Sequence, residues 1–182
     1  MNIGSVFLTG FMGVGKSKVG SLLAWRLRRD FLDTDELIEA REGREISSIF
    51  NEQGEAYFRE LEHARVVEAC ARGDVVVSLG GGAIVQSRNL EAVRSAGVLV
   101  CLEADVDTIL ERVSRRDDRP LLSGLSEDEK RAKIERMLKE RAPYYDQAHI
   151  KMLSDEGATP EETADRLAEL LEYWIEERNR TD

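Results

Sequence analysis

The sequence predicts an α/β protein with a largely parallel sheet covered by helices on both faces. Apolar runs of strand length alternate with helix-period segments along the whole chain. The runs at 6–9, 75–78 and 98–102 are apolar almost throughout, as strands buried on both faces must be. Three strand ends then carry glycine or aspartate clusters, at 10–15, 33–35 and 80–82, where open parallel sheets bind their ligands. A chain of 182 residues fits one domain with a real core, read here as 1–182.

The elements follow in order. The first strand, 6–9, enters a glycine-rich turn and then a helix over 16–29, with Val19, Leu22, Leu23 and Leu27 at helical spacing. Phe31 and Leu32 make a short strand end before Asp33-Thr34-Asp35. Segments 45–51 and 57–71 read as helices with Gly54 between them. Strand 75–78 leads to Gly80-Gly81-Gly82, and a helix over 88–95 precedes the strand at 98–102. A helix over 106–115 gives way to 116–126, too charged for core and broken by Gly124 and Ser123. A helix over 127–141 and a last strand at 149–153 follow. The chain closes with an amphipathic helix over 160–177, where Pro160 suits the first turn and Leu167, Leu170, Leu171 and Trp174 form the apolar stripe.

Gly10-Phe11-Met12-Gly13-Val14-Gly15-Lys16-Ser17 fits the nucleotide-phosphate loop pattern, between a strand and a helix as that pattern requires. Such a turn leaves backbone N–H groups without partners at the positive end of a helix dipole, a pocket for polyphosphate. Lys16 can reach the outer phosphates, and the Ser17 hydroxyl can ligate Mg²⁺. Asp33, Thr34 or Asp35 can cap a helix beginning near Glu36. Beside the phosphate loop, Asp35 reads as functional and Asp33 as serving both ends. Three successive glycines permit close backbone approach to a ligand.

A net charge of −10 argues against general binding to nucleic acid or to a membrane surface. Cys70 and Cys101 lack metal-ligand spacing and read as buried reduced thiols. No basic stretch leads into a long apolar run, so the expectation is a cytoplasmic protein; a monomer is expected as well. A guanine-specifying Asn-Lys-x-Asp segment is absent, which argues against a GTPase switch.

The order of six motifs resembles the shikimate kinases from the first strand to the final helix. They are the loop 10–17, Asp33-Thr34-Asp35, Phe58-Arg59-Glu60-Leu61-Glu62, Gly80-Gly81-Gly82, Arg119-Pro120-Leu121-Leu122 and Arg141-Ala142-Pro143-Tyr144. The resemblance implies a P-loop kinase fold like that of nucleoside monophosphate kinases, with five parallel strands in the order 2-3-1-4-5. It implies transfer of the ATP γ-phosphate to the 3-hydroxyl of shikimate, in aromatic amino-acid biosynthesis. By position, Asp35, Arg59, Gly80, Gly81, Gly82 and Arg141 would hold shikimate, with a substrate-binding region at about 33–62. Gly13, Val14, Gly15, Lys16, Ser17 and Lys18 would hold ATP, with Arg112 against the adenine. Ser17 and Asp33 would hold Mg²⁺, and Arg119 would reach the phosphates from a lid at about 116–126. Lys16, Asp35 and Arg119 would be the catalytic residues, with Asp35 orienting the attacking hydroxyl. Two features depart from the family pattern: Lys18 replaces a second Ser or Thr, and 154–159 lacks an adenine-side Arg or Gln. The alternatives are a kinase for another polyol acid such as gluconate, and a nucleotide-binding regulatory module without turnover.

Overall fold

The computed structural model describes residues 4–114, 120–122, 124–154 and 157–181. Strand β1 (Ser5–Thr9) stands at the centre of a five-stranded sheet. Around it lie β2 (Asp30–Asp33), β3 (Val75–Ser78), β4 (Gly97–Glu103) and β5 (Ile150–Leu153). The order is β2-β3-β1-β4-β5, every pairing is parallel, and both match the expectation. Every residue of β1 and β3 is buried, which explains their uninterrupted apolar runs. Edge strand β5 alternates instead, with Lys151 and Leu153 turned to solvent.

Strand alternation divides the core in two. Val6, Leu8, Val76, Val100 and Leu102 face one side, where α1 (Lys16–Leu27), α5 (Val106–Ser114) and α7 (Pro160–Thr181) supply Leu23, Ile109 and Leu167. Phe7, Val77, Leu99 and Cys101 face the other side, against Val66 of α3 (Ile46–Arg72) and Leu90 and Val93 of α4 (Ser87–Ala96). Helix α6 (Glu127–Tyr145) serves both, giving Ile134 and Met137 to the first cluster and Tyr145 to the second. Burying one such large side chain contributes roughly 1.5–3 kcal/mol.

The differences from the sequence expectation are local. Helix α2 (Thr34–Glu42) begins two residues before Glu36, because the Asp33 side chain accepts from the Asp35 N–H and caps it. The two helices expected around Gly54 abut as α3, with Gly54 itself non-helical at φ 80° and ψ 172°. Helix α6 does not stop at Arg141 but runs through Pro143 to Tyr145. Pro143 leaves the helix one backbone hydrogen bond short. On α7 the buried stripe is Ala164, Leu167, Ala168 and Leu171, while Leu170 is 39% exposed. Of the expected lid, 116–119 and 123 lie outside the described residues. Its described residues, 120–122 and 124–126, include a 3₁₀ turn, Pro120–Leu122, with Leu122 buried in the core.

Candidate active site

The phosphate loop joins the C-terminal end of β1 to α1. Its conformation requires glycine at Gly10, where φ is 131° and an added Cβ would lie 2.1 Å from the Leu102 carbonyl oxygen. Gly15 takes the left-handed N-cap position, φ 95°, and makes no side-chain cap bond; the first turn carries no acid. The start of α1 is therefore left open to an anion by its own chain. Lys16 Nζ lies over the loop, donating to the carbonyls of Gly10 at 2.9 Å and Phe11 at 3.0 Å. Val14 buries its side chain in the core, so only its backbone can meet a ligand.

Three strand and helix ends meet beside Lys16. Ser17 Oγ donates to Asp33 Oδ2 at 2.6 Å and lies 3.5 Å from Ser78 Oγ. Asp33 thus caps α2 with one oxygen and accepts from Ser17 with the other. Ser78 was not singled out by the sequence; its one signal is a hydroxyl ending a run of valines. A hydroxyl and a carboxylate at the phosphate loop are hard oxygen donors suited to Mg²⁺. Among the described residues no cluster of three His, Cys, Asp or Glu could cage a metal alone. Around these groups opens a cavity of about 680 Å³, lined by Gly13, Gly15, Lys16, Ser17, Lys18, Asp33, Asp35 and Arg112 among others. Arg112 donates to the Gly13 carbonyl at 3.3 Å and to Ser154 Oγ at 3.4 Å, which ties the departing segment after β5 to the loop.

A second, smaller recess of about 80 Å³ adjoins the first through Met12, Asp35, Ile46 and Gly81. Asp35, Arg59, Gly80, Gly81, Gly82 and Arg141 all line it, so the structure gathers every residue expected on the acceptor side. Phe50, Phe58 and Leu121 give it an apolar wall. The glycines make room for charged groups. A Cβ at Gly80 would sit 2.7 Å from Glu62 Oε1 and 2.8 Å from Asp35 Oδ1, and one at Gly82 would sit 3.0 Å from both terminal nitrogens of Arg59. Thr34 clasps the turn from below, its buried hydroxyl accepting from the Gly80 N–H at 3.0 Å.

Two further groups set the electrostatics. Glu62 is 1% exposed and accepts from Arg59 Nη1 at 2.8 Å, while Glu55 accepts from Nη2 at 2.9 Å. Burial pushes the Glu62 carboxyl above its ordinary range, against the pull of Arg59. Burial also works against the Arg59 charge, but Glu62 and Glu55 outweigh it and hold the guanidinium above its ordinary value. Glu62 stood inside a recognised motif, yet nothing in the sequence showed that it would be buried. From α6, Arg141 Nη1 and the Tyr145 hydroxyl both donate to the Gly81 carbonyl at 2.8 Å. Arg119 lies outside the described residues.

A phosphate loop opening onto a recess that presents arginines, an aspartate and glycine backbone defines a P-loop kinase for a small polar acceptor. The chain belongs to the shikimate kinase family: the family profile described as Shikimate kinase matches residues 12–172. A shikimate kinase of Salinibacter ruber is 45% identical over 172 residues, covering 91% of this chain and 83% of the relative. Among solved structures, shikimate kinase from Acinetobacter baumannii in complex with shikimate matches with a TM-score of 0.88 and 36% identity over 93% of each chain. Shikimate kinase from Bacteroides thetaiotaomicron matches with a TM-score of 0.87 and 38% identity, covering 92% of this chain and 98% of that one.

Proposed function

We propose that the protein transfers the γ-phosphoryl group of ATP to the 3-hydroxyl of shikimate, with Lys16, Asp35 and Arg119 as its catalytic residues. One observation supports this above the others: the two arginines, the aspartate and the three glycines share one recess that opens directly onto the phosphate-loop cavity. Shikimate is a carboxylate triol. Arg59 and Arg141 suit its carboxylate, and Asp35, at the junction of the two spaces, suits the hydroxyl facing the phosphates.

Phosphoryl transfer asks the protein for alignment and for neutralisation of charge. The open N-terminus of α1 and the Lys16 ammonium would receive the phosphates, and Arg119 would add a second cation to the transferring group. Lys18 is exposed on the cavity wall and would extend the cationic surface along the phosphates. Arg112 would flank the nucleotide base. Ser17 and Asp33 would hold Mg²⁺, which when bound offsets phosphate charge. Asp35 would accept a hydrogen bond from the attacking hydroxyl. A carboxylate of ordinary basicity orients better than it deprotonates at neutral pH, so orientation is its main part. Two free cysteines fit a reducing compartment, and the cytoplasm is the proposed setting, with a single domain acting as a monomer.

The test is ATP-dependent phosphorylation by the purified protein with shikimate, gluconate and related hydroxy acids in parallel. The expected result is Mg²⁺-dependent product from shikimate alone. Preference for gluconate, or nucleotide binding without turnover, would replace this reading.

A further inference from the structure

One backbone carbonyl of the acceptor recess is braced from α6. The Gly81 carbonyl oxygen takes two donors, Arg141 Nη1 and the Tyr145 hydroxyl, each at 2.8 Å. The donors lie four residues apart on α6, on one face, only because the helix continues through Pro143. Tyr145 is 5% exposed and packs among Phe7, Leu99 and Cys101, so its ring is fixed by the core beneath the sheet. Burial pushes its phenol up to about 12, which keeps the hydroxyl a donor across the working pH range.

We propose that Tyr145 is a positioning residue for the acceptor site, fixing the Gly81–Gly82 peptide and, through the carbonyl they share, the Arg141 guanidinium. With its oxygen held toward α6, this peptide turns the Gly82 N–H the opposite way, since a trans peptide sets the two groups antiparallel. Arg141 donates one nitrogen to the same oxygen and also meets the Tyr145 hydroxyl, and its planar fork carries further donors that a ligand could use. Gly81 could satisfy its carbonyl with Arg141 alone. The second donor removes the freedom of that oxygen to swing and carry Arg141 with it. The ordinary alternative is a buried tyrosine that has merely found a partner for its hydroxyl.

This inference rests on the acceptor reading above, and the experiment separates the two. Tyr145→Phe is made in the wild-type and Arg141→Lys backgrounds, with steady-state kinetics, melting curves and the ¹⁵N shift of the Gly82 amide. Loss of one neutral hydrogen bond is expected to raise the shikimate KM about three- to tenfold, with ATP KM and kcat little changed. The rise should shrink in the Arg141→Lys background, because Tyr145 acts through that side chain. The Gly82 shift should move in the variant. An unchanged shikimate KM, an equal effect in both backgrounds, or a parallel change in both substrate constants would overturn the proposal. If the wild-type protein ignores shikimate, the proposed function fails; the Gly82 shift then decides the positioning role by itself. Should Tyr145→Phe not fold, ring-fluorinated tyrosine at 145 strengthens the donor, and the shikimate KM should fall; no change would count against the idea.

Discussion

Lys16 and Glu62 show how far one charge reaches in this site. Lys16 Nζ rests on two loop carbonyls at 2.9 and 3.0 Å, so it is held over the phosphate position before any nucleotide arrives. Lys16→Ala should lower kcat by about 10²–10³, the effect of removing one preorganised donor from a transferring group. Circular dichroism and the melting temperature should stay near wild type, since a half-buried lysine adds little to the core. Glu62 makes a pH prediction. Its carboxyl titrates above the ordinary 4.5 because burial opposes the charge. The folded state therefore holds the extra proton just above 4.5, and the Glu62 contribution to stability falls as pH rises through that window. Pairing with Arg59 changes in the other direction, since only the ionised carboxylate attracts the guanidinium. The shikimate KM should improve as pH rises through the same window, and Glu62→Gln should flatten that limb of the profile.

The glycine turn after β3 and the 3₁₀ turn before α6 carry the acceptor side at the scale of elements. Gly80 has no unusual backbone requirement; what it lacks is a side chain. The atoms an added Cβ would meet are the ends of two flexible acids, Glu62 at 2.7 Å and Asp35 at 2.8 Å. The fold can absorb that shift, but the recess cannot. Gly80→Ala should raise the shikimate KM by about tenfold or more with a nearly unchanged melting curve, since a displacement near 1 Å in a positioned site is costly. Nucleotide titration should remain ordinary. Leu121 lines the recess while its neighbour Leu122 is buried, so this turn fastens one wall of the acceptor site to the core.

Two titrating systems report on the molecule as a whole. His149 Nδ1 accepts the Leu99 backbone N–H at 3.0 Å, and the His149 backbone N–H donates back to the Leu99 carbonyl at 2.8 Å, joining β4 to the approach of β5. Burial, with smaller effects from Arg94 and Arg178, holds the imidazole below its ordinary 6.5. The unfolded chain then binds more protons in the window below 6.5, so stability is present above 6.5 and lost as pH falls through the folded value. Melting temperatures measured from pH 8 to 5 should decline below that point, and His149→Asn should lose this component of the decline. The thiols give the second test. Burial pushes Cys70 up to about 11 and Cys101 up to about 12. Neither supplies appreciable thiolate at neutral pH, so thiol reagents should label the native protein slowly and the unfolded protein fast.

Local patterning located most of the elements, though not where α2 begins, that α3 runs on across Gly54, or that α6 passes Arg141. Apolar runs and apolar period marked the strands at 6–9, 75–78 and 98–102 and most of the helices, because a strand buried on both faces and a helix buried on one leave different spacings; the second strand showed only as Phe31-Leu32. The loop from Gly10 to Ser17 was equally legible, since its chemistry is contiguous in the chain. The acceptor site was legible only as separate motifs, and the resemblance to a family ordered them; residue spacing alone does not bring Arg59, Gly81 and Arg141 together. Tertiary structure decided that meeting, through strand order and the continuation of α6 beyond Pro143. It also decided burial: Glu62, Thr34 and Ser78 are polar residues whose roles come from what covers them, and Leu170 is an apolar residue left partly uncovered. Pattern along a chain records which face of an element is apolar. Which polar atoms lie opposite one another is set by contacts between distant segments, and those exist only after the chain has folded.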